Sequence, residues 1–477
     1  MRRFSAIFVA SFLACASSHD AAVGATKNAD AGSNAALKPW AGFIDVAPRN
    51  VSLHGRPVSI DTTARLFANF WPADETPENK PLFIMFNGFA ADVVRAFGTG
   101  PVTVDENGNV VPNPTSFTQM ANLLYVDPRQ SGFSYDVPSS GSATAGDCSA
   151  DVFNEYVDAG DVLFAVMSFL DSRPNLSGPI FWIGESYAGV RITWMLSDVR
   201  DRWNAALYDD PSLRARLGNF SRRSDLANRE ILLEPWLIGK AHADAIAAEC
   251  TDPKLLAGVS ATLPGGCASA SACECASAAD RSAYDYALTN EVENARLLQA
   301  DQAQVTPDQA QMLLGVSLDS IAGLAASDRG NGFKCGVSDD STPNEDAITL
   351  LLGALPAGQS YFLPFTPLTP GKGIASDLPD WENTNDVGAA FVDNLQDVPT
   401  LVTDGQLDLV VPESALVPAL QTVLGAQAAT ETASAISVST SAGSRTVSIS
   451  RYPDAGHMIT MAAPSALAAD VRAWLGL

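Results

Sequence analysis

Positive charge is in short supply in this chain of 477 residues: 29 Lys and Arg stand against 54 Asp and Glu, a formal net charge of −25. A surface of that sign repels phosphate backbones and anionic headgroups, which argues against nucleic acid and acidic membranes as partners. Long apolar runs are lacking as well. No stretch approaches 18 uninterrupted apolar residues, so no transmembrane span is expected. Histidine is scarcer still, with only His19, His54, His242 and His457. Any imidazole chemistry must fall to one of these. The crowded cysteines Cys267, Cys273 and Cys275 lie in Ala/Ser-rich sequence with no histidine nearby, so disulfides are favoured over metal ligation. Neither a metal nor an organic cofactor is expected.

What is present is a strand followed by a sharp turn. Pro179-Ile180-Phe181-Trp182-Ile183 is an apolar run rich in β-branched and aromatic residues and reads as a buried strand. Gly184-Glu185-Ser186-Tyr187-Ala188-Gly189 follows, and Val190 to Val199 then reads as helix. A serine on such a turn has the geometry of a nucleophile elbow, its hydroxyl lifted above the strand ends. Small residues at Gly184, Ala188 and Gly189 suit a turn with no room for side chains beside the serine.

An elbow serine should be followed in the chain by an acid and then a histidine. Val398 to Asp408 reads as a strand ending in a loop with two carboxylates, Asp404 and Asp408. Beyond it, Val447 to Ile449 reads as a strand leading to Gly456-His457-Met458. Of the four histidines only His457 follows both the serine and a strand-terminal acid. Ser186 as nucleophile, Asp404 or Asp408 as orienting acid and His457 as base form the expected triad.

The ordered blocks resemble the serine carboxypeptidase family. Trp40-Ala41-Gly42-Phe43 is similar to its opening segment, and Lys80 to Gly88 to its apolar strand and "NGG" turn. Asn113 to Phe117, Ala121 to Asp127 and Gly132 to Tyr135 resemble its "NPYSW…ANVLYLD…GFSYS" block. Gly184 to Gly189, Asp408, and Gly456-His457-Met458 complete the series, and the family's G-D-x-D pattern, placed on Gly405-Gln406-Leu407-Asp408, implies Asp408 as the triad acid with Asp404 as a loop carboxylate. The resemblance covers roughly 40–200 and 395–477. It implies an α/β-hydrolase fold and a peptidase that removes C-terminal residues through an acyl-enzyme. It also implies an oxyanion hole from the backbone N–H groups of Tyr187 and Phe89, and a grip on the substrate carboxylate by Asn87 and Glu185. For that grip Glu185 must be protonated, which favours acidic pH. The family's supporting glutamate falls at Gly98 here and is missing, and its glycine-rich turn has become Asn87-Gly88-Phe89-Ala90-Ala91-Asp92. Two rival functions share the scaffold: an esterase or acyltransferase on the same triad, and a non-catalytic lipid-anchored binding protein.

Arg2 and Arg3 followed by the apolar run Phe4 to Leu13 read as an export signal, which places the protein outside the cytoplasm as a secreted, periplasmic or cell-envelope species. Phe12-Leu13-Ala14-Cys15 resembles a bacterial lipobox, with Cys15 as lipid anchor. Ala14-Cys15-Ala16 offers the alternative of cleavage and release. The other cysteines, Cys148, Cys250, Cys267, Cys273, Cys275 and Cys335, are even in number and imply three disulfides in an exported chain.

Alternating strand and helix patterns predict a mostly parallel sheet flanked by helices. Expected strands are Leu82–Phe86, Leu123–Val126, Ile180–Ile183, Thr400–Val402 and Val447–Ile449. Helices are expected from about Phe153 to Leu170 and across Leu467, Val471, Trp474 and Leu475. The organisation is then a signal at 1–16, a disordered linker at 17–37, hydrolase core at 38–202, a large mainly helical lid at 203–375 and the second part of the core at 376–477. Lid helices are expected near Asp244–Glu249, Tyr284–Gln299 and Ala347–Leu355.

Overall fold

The computed structural model describes residues 37–86, 88, 98–105, 109–139, 154–237, 304–305, 307–324, 332, 361–362, 386–405, 408, 429–432, 434–440, 443–453 and 455–477. Eleven of the described strands form one sheet: β1 (Trp40–Val46), β2 (Thr62–Trp71), β3 (Leu82–Phe86), β4 (Asn122–Val126), β5 (Tyr135–Pro138), β6 (Ile180–Glu185), β7 (Arg229–Leu233), β8 (Thr400–Gly405), β9 (Ala429–Thr432), β10 (Ala435–Thr440) and β11 (Gly443–Tyr452). Their order is β1-β2-β4-β3-β6-β7-β8-β11-β10-β9, with β5 paired to β2. The run β4-β3-β6-β7-β8-β11 is parallel throughout. The mixed, mostly parallel sheet expected from the alternation of strand and helix patterns is therefore present.

Burial on both faces explains why the central strands read as unbroken apolar runs rather than alternating ones. Every residue of β3, β4, β6 and β8 is buried. Alternate side chains still go to opposite faces. Ile84, Phe86 and Trp182 pack with Val162, Leu163 and Val166 of α1 (Glu155–Asp171) and with Ile192 and Met195 of α2 (Ala188–Val199). Phe83, Met85, Phe181 and Ile183 pack on the other side with Leu467 and Val471 of the last helix. The first face also carries α3 (Asp386–Asn394), through Val387 and Phe391, and the second the short α4 (Ile459–Ala462), through Ile459, ahead of the final α5 (Pro464–Leu475). The Asn154 side chain starts α1 by accepting from the N–H groups of Tyr156 and Val157.

The boundary of the expected lid needs correction. Strand β7 lies inside the span 203–375, yet it pairs with β6 on one side and β8 on the other, in the middle of the sheet. Its apolar residues Ile231, Leu232 and Leu233 are buried, whereas charged Arg229, Glu230 and Glu234 flank so short a run and disguise it. Residues 307–324 also meet the core. The Phe43 N–H donates to the Ala322 carbonyl at 2.7 Å, and Ala310, Leu313 and Leu314 pack with Phe43, Phe67 and Phe133. The lid helices expected near Asp244–Glu249, Tyr284–Gln299 and Ala347–Leu355 lie outside the described residues, as do all seven cysteines and the signal segment. Among the described residues no helix is long and apolar enough to cross a membrane.

Candidate active site

Chain order reverses direction between β3 and β6: after β3 the chain adds β4 on one side, and β6 then begins growth on the other. The crevice outside the carboxyl ends of such neighbours is where open α/β sheets bind ligands. The turn after β3 and the turn after β6 meet there. A Cβ built on Gly88 would lie 3.3 Å from the Tyr187 nitrogen and 3.5 Å from the Ser186 Cβ.

Ser186 follows β6 directly, with φ of 61°. A non-glycine residue there is sterically strained and persists only if its surroundings hold it. Three backbone hydrogen bonds do so. The Ser186 N–H donates to the Leu233 carbonyl at 2.8 Å, and the Ser186 carbonyl accepts from Gly189 at 2.9 Å and Trp236 at 3.1 Å. Helix α2 then folds back so tightly that a Cβ on Gly184 would sit 2.7 Å from Ala188 Cβ and 2.6 Å from Ile192 Cδ1. This is the room that the small residues of the turn preserve. Ser186 itself remains half-buried, open enough to be reached.

Two further loops converge at the carboxyl ends of β8 and β11. They touch at Gly405, where a Cβ would lie 2.3 Å from the Gly456 carbonyl oxygen, so only glycine allows the approach. Asp408, its N–H donating to the Gly405 carbonyl at 2.9 Å, directs Oδ2 to within 2.8 Å of His457 Nδ1. The Asp408 side chain is fully buried and that of His457 is 15% exposed. An ionised carboxylate only accepts, so Nδ1 carries the proton and Nε2 is the basic nitrogen. His54, by contrast, sits exposed on a tight turn with φ of 48°. Asp404 is not the loop carboxylate expected from sequence. It belongs to β8 and is buried, because that strand runs on to Gly405.

Tyr187 stands at the N-cap of α2 and is buried. Asn87 and Phe89 lie outside the described residues. Glu185 is buried at the end of β6, and the Thr460 hydroxyl of α4 donates to its Oε2 at 3.3 Å. Thr460 also accounts for the missing glutamate. A Cβ on Gly98 would fall 2.0 Å from the Thr460 carbonyl oxygen, so no side chain fits at 98 beside this helix. The Asn113 amide pins the Gly98–Pro101 segment by donating to the carbonyls of Gly98 at 3.1 Å and Gly100 at 2.7 Å.

Three residues near this constellation escaped the sequence reading. Arg191 of α2 is buried, with Nε 2.7 Å from Asp158 Oδ2 and Nη2 donating to the Gly88 carbonyl at 3.0 Å, so it ties the turn after β3 to the elbow helix. Thr460 is the second. The third is Glu234, buried just beyond β7, whose carboxyl is held well above the usual range by burial, then by the neighbouring Asp408 and Asp404. An acid closing an apolar run, as Glu185 closes β6, was the available signal for Glu234. Among the described residues no group of His, Cys, Asp and Glu is arranged to hold a metal ion.

Comparison with known proteins finds relatives of part of the chain. The family model for serine carboxypeptidase matches residues 46–215. "Serine carboxypeptidase S10 family member 1" of Dictyostelium discoideum is 34% identical over 138 residues, 28% of this chain and 31% of that protein. "Carboxypeptidase Y homolog A" of Arthroderma otae is 29% identical over 193 residues, 39% of this chain and 31% of that protein. These matches thus span about a third of the length of each relative. The structure of Kex1(delta)p, a prohormone-processing carboxypeptidase from Saccharomyces cerevisiae, superposes with a TM-score of 0.51 at 12% identity, covering 92% of this chain and 91% of that one. At that identity the likeness shows the fold, an α/β-hydrolase.

Proposed function

We propose that this chain, a serine carboxypeptidase relative over residues 46–215 on an α/β-hydrolase fold, cleaves C-terminal residues from peptides through an acyl-enzyme. The observations that support the reading are a strained elbow serine at the carboxyl end of β6 and an Asp408–His457 pair, 2.8 Å apart, beyond the carboxyl end of β8 in the same parallel run. Ser186 Oγ attacks the carbonyl carbon of the scissile bond while His457 Nε2 takes the hydroxyl proton. The developing oxyanion is received by backbone N–H groups, with Tyr187 and Phe89 in that role. His457 returns the proton to the departing amine, and water repeats the sequence to release the acyl group. Asp408 holds the imidazole and balances its positive charge.

Asn87 and Glu185 are assigned to the substrate's terminal carboxylate. Glu185 can donate to a carboxylate only when protonated, and the Thr460 hydroxyl, which donates to its Oε2, lies against Gly98 without supplying the proton-holding support of a second glutamate. The altered support at Gly98 favours one second reading, hydrolysis or transfer of acyl esters lacking a terminal carboxylate. N-blocked dipeptides, their C-terminal amides and short-chain esters separate the two. Carboxypeptidase action predicts that the free-carboxylate peptide is turned over far faster than its amide, with efficiency falling as pH rises and Glu185 ionises. Equal pH profiles for peptide and amide would transfer the assignment to the ester reading.

The export signal, Cys15 as lipid anchor and three disulfides among the other cysteines belong to the same proposal, as does a lid. The chain leaves β7 at its carboxyl end, on the rim that bears Ser186, before returning through α3 to β8, so the intervening insertion is suited to cover the site.

A further inference from the structure

Three carboxyl side chains are buried together where β7 and β8 end: Glu234, Asp404 and Asp408. Only Asp408 has a role in the chemistry above. Glu234 is stapled to β8, the strand that leads into Asp408. Its N–H donates to the Thr403 carbonyl at 3.3 Å, and its Oε1 accepts from the Gly405 N–H, the residue whose carbonyl takes the Asp408 N–H. It also makes a side-chain hydrogen bond to Asp408. Its φ of 46° is left-handed, a second strained non-glycine residue in the crevice beside Ser186. Strain of that kind is retained where the surroundings impose a geometry, and here the geometry imposed is a carboxyl on a carboxylate.

We propose that Glu234 is a positioning residue of the Asp408–His457 pair, donating its carboxyl O–H to Asp408 and so fixing which oxygen faces His457 Nδ1. The inference rests on the catalytic reading of that pair. Two carboxylates cannot share a hydrogen bond without a proton between them, and three ions in a dry space repel. Asp408 faces the imidazole and is the one stabilised as an anion, so the proton resides on Glu234. Burial, followed by Asp408 and Asp404, raises the Glu234 carboxyl well above its ordinary range, in keeping with this assignment. The other titratable groups around it are Tyr452 at the end of β11, whose phenol feels Glu234, and His457 beyond Asp408; Glu185 closes the adjacent β6. A neutral donor on Asp408 also disperses its charge, which keeps His457 from being held protonated.

The test is the rate of fluorophosphonate labelling against pH, a readout that needs no knowledge of the substrate. Glu234→Gln preserves both hydrogen bonds, through Oε1 and an N–H donor, and should label within a few-fold of wild type without loss at alkaline pH. Glu234→Leu removes the donor and should lower the saturating labelling rate about 10- to 100-fold with little change in reagent affinity. The acid limb set by His457 should move to higher pH, because the undispersed Asp408 charge stabilises imidazolium. A merely structural role would leave that limb in place. Glu234→Leu with the wild-type rate and limb overturns the inference, as does Glu234→Gln impaired as severely as Glu234→Leu. If the Leu variant does not fold, the alkaline side decides on Gln alone: loss of rate with rising pH in wild type but not in Gln supports it, and identical profiles overturn it. A wild type that does not label at all removes the catalytic reading, and the inference with it.

Discussion

Two clusters of charge buried among the described residues are built on opposite plans. Beneath α1 and β2, arginines and aspartates alternate. Arg49 contacts Asp161 and Asp210 at 2.6 Å each, Arg129 contacts Asp161 at 2.6 Å and Asp136 at 2.8 Å, and Arg191 contacts Asp158 at 2.7 Å. At the ends of β7 and β8, Glu234, Asp404 and Asp408 face one another. Burial opposes the charge of Asp161, but Arg129 and Arg49 together outweigh it and hold its carboxyl below the usual range. At Asp136, beside Arg129, and at Asp158, beside Arg191, burial dominates and the carboxyl lies above that range. Glu234, with carboxyls for neighbours, is held well above it by burial, then by Asp408 and Asp404. Two arginines hold Asp161 toward its charged form, whereas burial among other carboxyls pushes Glu234 toward its protonated form.

That contrast can be broken most sharply at Asp408. Asp408→Asn should reduce turnover about 10⁴-fold, since the amide presents His457 with the wrong hydrogen-bond partner. Asp404→Asn, equally buried but without the imidazole contact, should cost no more than about tenfold. The reverse ranking would move the orienting role to Asp404.

Within the compensated cluster the expected effect is on stability. Asp161→Asn leaves Arg49 and Arg129 facing each other without their shared anion and should destabilise by about 3–5 kcal/mol in urea unfolding, while Ser186 in the folded fraction still labels. Because the Asp161 carboxyl is depressed on folding, its contribution is present above the ordinary carboxylate range and lost as pH falls through the folded value. An unchanged midpoint would show that the network is ornamental.

A third case lies between the two plans. Glu230, at the other end of β7 from Glu234, is buried alone, with the Thr400 hydroxyl donating to it at 2.7 Å, and burial pushes it up to about 7. A raised folded value means stability is full below pH 4.5 and is lost as pH rises to about 7. Glu230→Gln should abolish that decline and gain about 3 kcal/mol over wild type above pH 7. Parallel stability–pH curves for the two proteins would contradict the assignment.

The elbow was legible from sequence because everything that makes it is local: the apolar run Ile180–Ile183, the small residues at Gly184 and Ala188, and the helix after them. His457 was legible through scarcity. Strand β7 was not, because five residues flanked by charges carry too little pattern, and its place in the sheet is decided by β6 and β8 rather than by itself. The contacts of Glu234 with Gly405 and of Thr460 with Glu185 span 171 and 275 positions of chain. Only the topology that closes those distances reveals them. The family match likewise ends at residue 215, so it covers Ser186 but neither Asp408 nor His457.

The most direct measurement is therefore one that asks whether the two ends of the chain act together on Ser186. Fluorophosphonate labelling followed by peptide mass mapping should find one adduct, on Ser186, absent in Ser186→Ala and strongly slowed in both Asp408→Asn and His457→Ala. Labelling that persists in Ser186→Ala, or that proceeds at the wild-type rate without His457, would contradict the account.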